Sequence, residues 1–217
     1  MSKKLLLGLF AGLLASIGAH ASVDLSYNYV QVEYVSVEID NGPDGDGFGI
    51  AGSAEVGSQV HVLASYGKTD LDSCGRCEGV IQGGALFPTP QALPLGGYLV
   101  DVTTWSAGVG YHTDIARKAS FFGEVGYVDV ELDSNIGDVS DDGFSAAIGI
   151  RGLVASKIEL VGGISYVDLS DAGDDTAFSA GIRFNVTNTV SLGAEYTTSD
   201  DSDAVSVGVR IYWGSRR

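Results

Sequence analysis

Two cysteines separated by two residues form a motif that could carry redox or metal chemistry. They are Cys74 and Cys77, in the sequence Cys-Gly-Arg-Cys, and the chain has no other cysteine. A redox motif of this spacing accompanies a βαβ pattern, which is missing here, and a metal site would need further ligands nearby. We therefore predict a small structural disulfide, as expected of an exported protein in an oxidising compartment.

Three further patterns could support binding or catalysis, and each lacks a required part. Gly47 to Gly52 matches G-x-G-x-x-G, but a dinucleotide site needs a strand before this motif and a helix after it. Residues 40–46 supply carboxylates as a calcium loop does, without the distal glutamate, so a solvated turn is favoured over weak divalent-cation binding. His61 and His112 have no nucleophile at a spacing that indicates catalysis. We predict no enzyme activity, no cofactor and no metal site.

Composition excludes other classes of function. The 217 residues include 12 Lys and Arg against 28 Asp and Glu, which gives a net charge of −16. Such a surface repels phosphates, so we predict no nucleic-acid partner. Hydrophobic residues make up 45% of the chain, which is too apolar for disorder. No apolar run outside residues 1–21 reaches the length of a membrane helix.

Residues 1–21 have the three parts of a secretory signal peptide. Two lysines precede an apolar run, residues 5–17, and small residues follow at the two positions that a signal peptidase requires. The apolar run is too short for a permanent membrane anchor. We predict cleavage between Ala21 and Ser22, and a single domain over residues 22–217.

Hydrophobic residues alternate with small or polar ones almost everywhere in the rest of the chain. In one stretch Val60, Val62, Ala64 and Tyr66 lie on one face. This period of two predicts β-strands, and the regular stretches plus a less regular one in residues 25–37 give ten. Short turns alternate with longer acidic segments, which predicts a meander of hairpins. We place five longer segments in loops: residues 40–46, 70–97, 133–142, 168–175 and 199–203.

Such a meander closes into an antiparallel up-and-down β-barrel, whose outer face meets either water or lipid. The face opposite the apolar one carries mainly Gly, Ala and Ser, which suit a crowded interior and make a poor coat in water. Aromatic residues on the apolar face lie beside the longer segments, as in a girdle at a membrane interface. We predict an all-β transmembrane barrel of ten strands, with a girdle of Phe48, Tyr66, Tyr127, Phe144, Tyr166, Phe178 and Tyr196.

With its signal peptide, Gly-rich alternating strands and late aromatic strand, the chain resembles small outer-membrane β-barrel proteins of Gram-negative bacteria, of the OmpA and OmpX type. The resemblance implies contact with outer-membrane lipid and lipopolysaccharide, insertion by the barrel-insertion machinery, extracellular long loops and periplasmic termini. Two features differ. Those barrels have eight strands, which we keep as the alternative, and they end on an aromatic residue, whereas Gly214 to Arg217 follow Trp213 here.

The inward face carries charged residues, which must be paired in a narrow lumen. Arg151 and Glu159 lie at the same depth, since each is seven residues from the girdle aromatic of its strand, and form the predicted pair. We favour a plugged, structural lumen. The alternatives are a narrow, porin-like diffusion pore and, less favoured, a lipid-modifying enzyme. The predicted network comprises Glu55, Glu124, Arg151, Glu159, Arg183, Glu195 and Arg210.

The segment 70–97 is where we expect specific surface function. It carries both cysteines, three of the four prolines and an apolar stretch. Long loops in compact proteins are usually either functional or disordered. We expect this loop to fold over the mouth of the barrel or to bind an extracellular surface ligand, whose identity the sequence leaves open.

Overall fold

The computed structural model describes residues 25–39, 44–71, 100–134, 137–200 and 202–214. These residues form ten β-strands, each built on the alternation of apolar with small or polar residues. In chain order the strands are β1 (Tyr29–Ile39), β2 (Gly45–Glu55), β3 (Val60–Leu71), β4 (Val100–Ala116), β5 (Ala119–Ser134), β6 (Gly137–Ala155), β7 (Ile158–Leu169), β8 (Gly173–Asn185), β9 (Val190–Thr198) and β10 (Ser202–Tyr212).

Each strand pairs antiparallel with its sequence neighbours, and the sheet closes where β1 pairs with β10. That seam runs from Tyr29 opposite Tyr212 to Ile39 opposite Ser202. The prediction of a closed, ten-stranded, antiparallel up-and-down barrel is therefore confirmed, and the alternative of eight strands is wrong. Closure leaves the sheet without an open edge, as hydrocarbon surroundings require. In the described residues, no helix is long and apolar enough to span a membrane.

The two ends of the barrel differ in their connections. We name the end that carries the connection 72–99 the upper end. The lower end carries the turns 117–118 and 156–157, and it also carries residues 25–28, which precede β1.

Around the lower half of the barrel the outer face is apolar. Ile148, Leu192 and Val207 lie on this face, with 54%, 50% and 50% of their surface exposed. On β7 the outward positions run from Ile158 to Tyr166. At about 3.3 Å per residue and a tilt of about 40°, this stretch covers about 20 Å. The band therefore approaches the height of the apolar belt of transmembrane barrels.

A ring of aromatic side chains borders this apolar band on its upper side. All seven predicted girdle residues lie on the outer face, where they alternate with inward-facing neighbours in register. Tyr34 and Trp105 complete the ring, although the sequence pattern did not single them out. Adjacent rings contact each other, with centroids 6.4 Å apart for Phe48 and Tyr66, 5.3 Å for Trp105 and Tyr127, and 5.9 Å for Phe144 and Tyr166.

Just above this ring, the apolar side chains change from the outer face to the inner face of the same strands. In β5, Tyr127 is exposed, whereas Val128 and Val130 are 0% exposed and Asp129 and Glu131 face outward. The pattern Tyr-Val-x-Val-Glu-(Ile/Leu) marks this change in both β1 and β5. The upper part of the barrel therefore has the arrangement of a soluble barrel, polar outside and apolar inside.

An apolar cluster, the upper core, lies in the interior of this upper part. The predicted acidic loops 133–142 and 168–175 are wrong in extent, because most of their residues belong to strands that continue upward. β5 ends at Ser134, β6 begins at Gly137, and β8 begins at Gly173, so acids expected in loops lie on strands instead. The buried members of the upper core are Val37, Ile39, Leu71, Val102, Val128, Val130, Leu132, Val167, Leu169 and Ala204.

A carboxylate near the top of β6 ties two hairpins together. Asp141 accepts hydrogen bonds from the backbone N–H groups of Asp171, at 3.2 Å, and Ala172, at 2.9 Å. The backbone N–H and the hydroxyl of Ser170 donate to the carbonyl oxygen of Asp142, at 3.0 and 2.9 Å. The β5–β6 hairpin is thereby fixed to the β7–β8 turn.

The change of face in β5 predicts how introduced cysteines react when Cys74 and Cys77 are both replaced by serine. In lipid nanodiscs, a water-soluble maleimide should label Asp129→Cys about tenfold faster than Val125→Cys or Val130→Cys, because packed interiors and lipid exclude the reagent. A lipid-soluble maleimide should label Val125→Cys and leave Val130→Cys unreacted. Equal labelling of Val130→Cys and Asp129→Cys by the water-soluble reagent would contradict an apolar upper core.

Candidate functional site

The interior of the lower half contains an ion pair between β6 and β7. Arg151 is 3% exposed, and its Nε and Nη2 atoms each lie 2.8 Å from Oε1 of Glu159, which is 1% exposed. The structure thus brings into contact the two residues that the sequence put at one depth. Each partner depends on the other, because an unpaired charge in an interior costs several kcal/mol.

The charges continue across the next two strands. Nη1 of Arg183 lies 3.5 Å from Oε1 of Glu159, and Nη2 of Arg183 lies 3.8 Å from Oε2 of Glu195. Glu159 and Arg183 are direct register partners on β7 and β8. Four residues of the predicted network therefore form one continuous chain of charges from β6 to β9.

Arg210 on β10 makes its contact through a glutamine that the sequence analysis missed. Its Nε donates to Oε1 of Gln31 at 2.7 Å, and Nε2 of Gln31 donates to Oε2 of Glu33 at 2.6 Å. The guanidinium carbon also lies 3.7 Å from the centroid of the Tyr29 ring, a cation–π arrangement. Gln31 carries no charge, so its inward position on β1 was the only signal for its role. Because Gln31 and Arg210 are register partners, this contact crosses the closing seam.

A second polar group lies lower in the lumen, on β3, β4 and β5. Nε2 of His61 lies 3.0 Å from Oε1 of Glu124, and Nδ1 of His61 lies 3.2 Å from Nδ1 of His112. Glu124 thus contacts a histidine, where the sequence analysis expected an arginine network. A Cβ at Gly110 would collide with the imidazole of His61, so only glycine leaves space for that ring.

Glu55 lies apart from the arginines. Its side chain is exposed at the lower rim. There Oε1 accepts a hydrogen bond from the backbone N–H of Tyr27 at 3.2 Å, and Oε2 accepts one from Nδ2 of Asn28 at 2.9 Å. In the described part of the chain, Glu55 therefore holds the residues before β1, a role that its sequence position did not indicate.

Little free volume remains between these side chains. One cavity of about 20 Å³ adjoins Tyr27, Glu124 and Arg151, and another of about 10 Å³ adjoins Glu33 and Arg210. Each has the volume of about one water molecule. A water in the second cavity would serve Nη2 of Arg210, which has no hydrogen-bond partner among the described residues. No group of three or more His, Cys, Asp or Glu in those residues could hold a metal ion.

Two sets of predicted residues lie outside the described part of the chain. The cleavage position, Ala21 and Ser22, precedes it, and the cysteines, Cys74 and Cys77, fall within the connection 72–99. Both the signal-peptide cleavage and the disulfide stay predictions.

Comparisons with known proteins agree with this architecture. The family described as "Outer membrane protein beta-barrel domain" matches residues 5–210 of the chain. No curated protein matches the sequence. Among solved structures, the NanC porin is 8% identical with a TM-score of 0.50, over 84% of this chain and 100% of that one. Neisserial surface protein A is 13% identical with a TM-score of 0.42, over 87% and 98%. Ail, the attachment invasion locus protein of Yersinia pestis, is 15% identical with a TM-score of 0.33, over 86% and 99%.

Replacing Arg151 by methionine should leave Glu159 buried without its closest partner and lower the free energy of unfolding by about 3–5 kcal/mol. Urea titration of the refolded protein in lipid, followed by tryptophan fluorescence, measures this change. The control is Arg117→Met in an exposed turn, which should change the free energy by less than about 0.5 kcal/mol. Adding Glu159→Gln to Arg151→Met should recover part of the loss. Equal stability of Arg151→Met and Arg117→Met would contradict a buried ion pair.

Proposed function

Because the chain belongs to the outer membrane β-barrel family and is an integral outer-membrane protein, we propose that it is a plugged barrel with a structural role, a rigid support for loops at the cell surface. The observation that carries this proposal is the pair of closed layers that cross the lumen. The upper core forms one layer, and the charge network below it forms the other.

The upper core is the tighter of the two barriers. Val37 and Val102 are 1% exposed and Val128 and Val130 are 0% exposed, so water does not reach these apolar side chains, and the polar Thr69, Thr104 and Thr197 are buried at the same end. An ion entering it would lose its water without gaining a partner, at a cost far above thermal energy. Below this layer the arginine and glutamate side chains project into the lumen, and the two cavities described beside them each suit a single water.

The connections support an orientation with the upper end outside the cell. The turns 117–118 and 156–157 at the lower end match the short periplasmic turns of transmembrane barrels, and the connection 72–99 matches their longer extracellular loops. Residues 25–28 and Tyr212 then lie on the periplasmic side. The upper core and the Asp141 contacts hold the bases of the extracellular loops in fixed positions, which suits a support for a surface ligand.

The outer face supports a matching set of lipid contacts. In this proposal, outer-membrane lipid covers the apolar band, and the aromatic ring with Tyr34 and Trp105 lies at the headgroups of the lipopolysaccharide leaflet. Asp129 and Glu131 then stand just above the headgroups in water. The role of the barrel-insertion machinery follows from the family and stays a prediction for this chain.

Single-channel recording in planar bilayers tests the plugged lumen. We expect no steady open steps from the folded protein, with a gel shift on heating as the control for folding. Replacing Val102 and Val128 by serine should hydrate the upper core and produce openings, because a polar lining lowers the cost of ion entry. Steady open steps from the unmodified protein would support a narrow diffusion pore and overturn the plugged lumen.

An epitope inserted after residue 84 tests the orientation. Antibody should bind it on intact cells, because the connection 72–99 then lies outside the outer membrane. The matched control is the same epitope after Gly57, in the turn between β2 and β3, which should bind antibody only after permeabilisation. The reverse pattern would contradict extracellular long loops.

A further inference from the structure

We propose that residues 26–28 form a latch over the lower mouth of the lumen, and that this latch opens when both histidines behind it are protonated. The segment precedes β1 and makes no strand of its own. Its side chains and backbone nevertheless contact five different strands of the barrel interior, β2 to β6. The contacts involve titratable groups, which is why the latch responds to protons.

Tyr27 is the centre of the latch. Its side chain is 3% exposed, and its ring stacks on His112 with centroids 3.8 Å apart and planes at 10°. The ring of His61 lies 4.8 Å away, and the guanidinium carbon of Arg151 lies 4.8 Å from the Tyr27 centroid. The Tyr27 hydroxyl is 3.0 Å from Oγ of Ser120. Tyr27 therefore occupies the floor of the lumen and covers both histidines.

Charged side chains hold the backbone on either side of Tyr27. Nη1 of Arg151 donates to the carbonyl oxygen of Ser26 at 3.1 Å. Glu55 accepts from the N–H of Tyr27 and from Nδ2 of Asn28, while Oδ1 of Asn28 accepts from the N–H of Glu55 at 2.8 Å. Such charge-assisted contacts are specific, which identifies the segment as a built closure rather than a terminus lying against the barrel.

The histidine pair limits the number of protons that the closed latch holds. The Nδ1 atoms of His61 and His112 are 3.2 Å apart, so one ring must donate the single hydrogen between them and the other must accept it. A first added proton is accommodated, because a charged His61 donates from Nε2 to Glu124 and from Nδ1 to His112. A second proton sets two N–H groups against each other and breaks the contact that Tyr27 covers.

The charged groups around the pair are bonded elsewhere or exposed, and one of them is a cation. Glu124 is already bonded to His61, and Glu55 is already bonded to the latch. Asp114, on the strand of His112, is exposed at the lower end. Arg151 faces the same Tyr27 ring and repels a second cation on His112. Imidazole has an ordinary pKa of about 6.5, so pH 7.5 and pH 5.0 lie on either side of it in the test below.

Opening of the latch uncovers a small cavity whose wall combines Phe122 and Val161 with charged groups. Behind Tyr27 lies the cavity of about 20 Å³ beside Glu124 and Arg151. The upper core still closes the barrel above this cavity. Release of the latch therefore exposes charged groups to the lower side without opening a path through the barrel. An experiment can therefore contradict the latch without contradicting the proposed non-conducting lumen, and the reverse is also true.

The reactivity of Ser120→Cys tests the latch, in a chain whose Cys74 and Cys77 are replaced by serine. Ser120 is 1% exposed behind Tyr27. A small water-soluble methanethiosulfonate is applied in nanodiscs at pH 7.5 and 5.0. Each rate is divided by that of Ser156→Cys, which lies in an exposed turn at the same end, to cancel the titration of the thiol. We expect this ratio to rise about tenfold at pH 5.0, as local opening becomes populated.

Two further variants separate the latch from a general loosening of the barrel. Tyr27→Ala should give a high ratio at both pH values, and His112→Gln should give a low ratio at both, because it removes the second titrating ring. Hydrogen exchange at the Tyr27 N–H of the unmodified chain, corrected for intrinsic rates, should show the same pH step. A ratio near one at pH 7.5 would overturn the latch. An unchanged ratio and unchanged exchange between the two pH values would overturn its response to protons.

Discussion

Strands such as β1, β4, β5 and β7 pass from a zone bordered by lipid into a zone bordered by water without ending. Because side chains alternate along a strand, a single pattern of apolar positions cannot serve both zones. The chain meets this constraint by shifting the pattern by one residue just above the aromatic ring, so that Tyr127 faces outward and Val128 inward. The lower half of the barrel then has apolar side chains outside and polar ones inside, and the upper half has the reverse arrangement. The buried apolar cluster at the upper end follows from this shift.

The sequence was sufficient for the architecture because the period of two is a strong and repeated signal. Ten alternating stretches predict ten strands, and the observed register closes them into one barrel. The girdle residues could also be predicted, since each follows or precedes a segment that the sequence pattern assigned to a longer loop. The upper ends of the strands could not be predicted. An acid such as Asp133, in a segment with several acids, resembles a loop residue when its inward-facing apolar neighbour Leu132 is overlooked. The alternation of apolar residues continues above the aromatic ring, but there the apolar residues lie on the opposite face of the strand.

The contacts inside the lumen could be predicted only in part, for a different reason. Charged residues on an inward face are visible in the sequence, and their equal spacing from the girdle aromatics is enough to pair Arg151 with Glu159. Contacts made by neutral or aromatic groups, such as those of Gln31 and Tyr27, have no comparable signal in the sequence. Glycine carries part of this information, because it stands where a large inward neighbour needs space. A Cβ at Gly149 would collide with the ring of Phe122, as one at Gly110 would with His61. Glycine at these two positions thus reflects the volume of the inward side chain beside it.

The order of strands in the charge network has a consequence for assembly. Arg151, Glu159, Arg183 and Glu195 sit on four consecutive strands, so a flat sheet of these hairpins already neutralises its own charges before it curls. His61 on β3 contacts His112 on β4 and Glu124 on β5, so these polar groups also lie on consecutive strands. Arg210 differs, because its acceptor, Gln31, becomes available only when the first strand meets the last. Pairing of β1 with β10 is therefore the step that gives Arg210 its acceptor, together with the eleven register pairs of the closing seam.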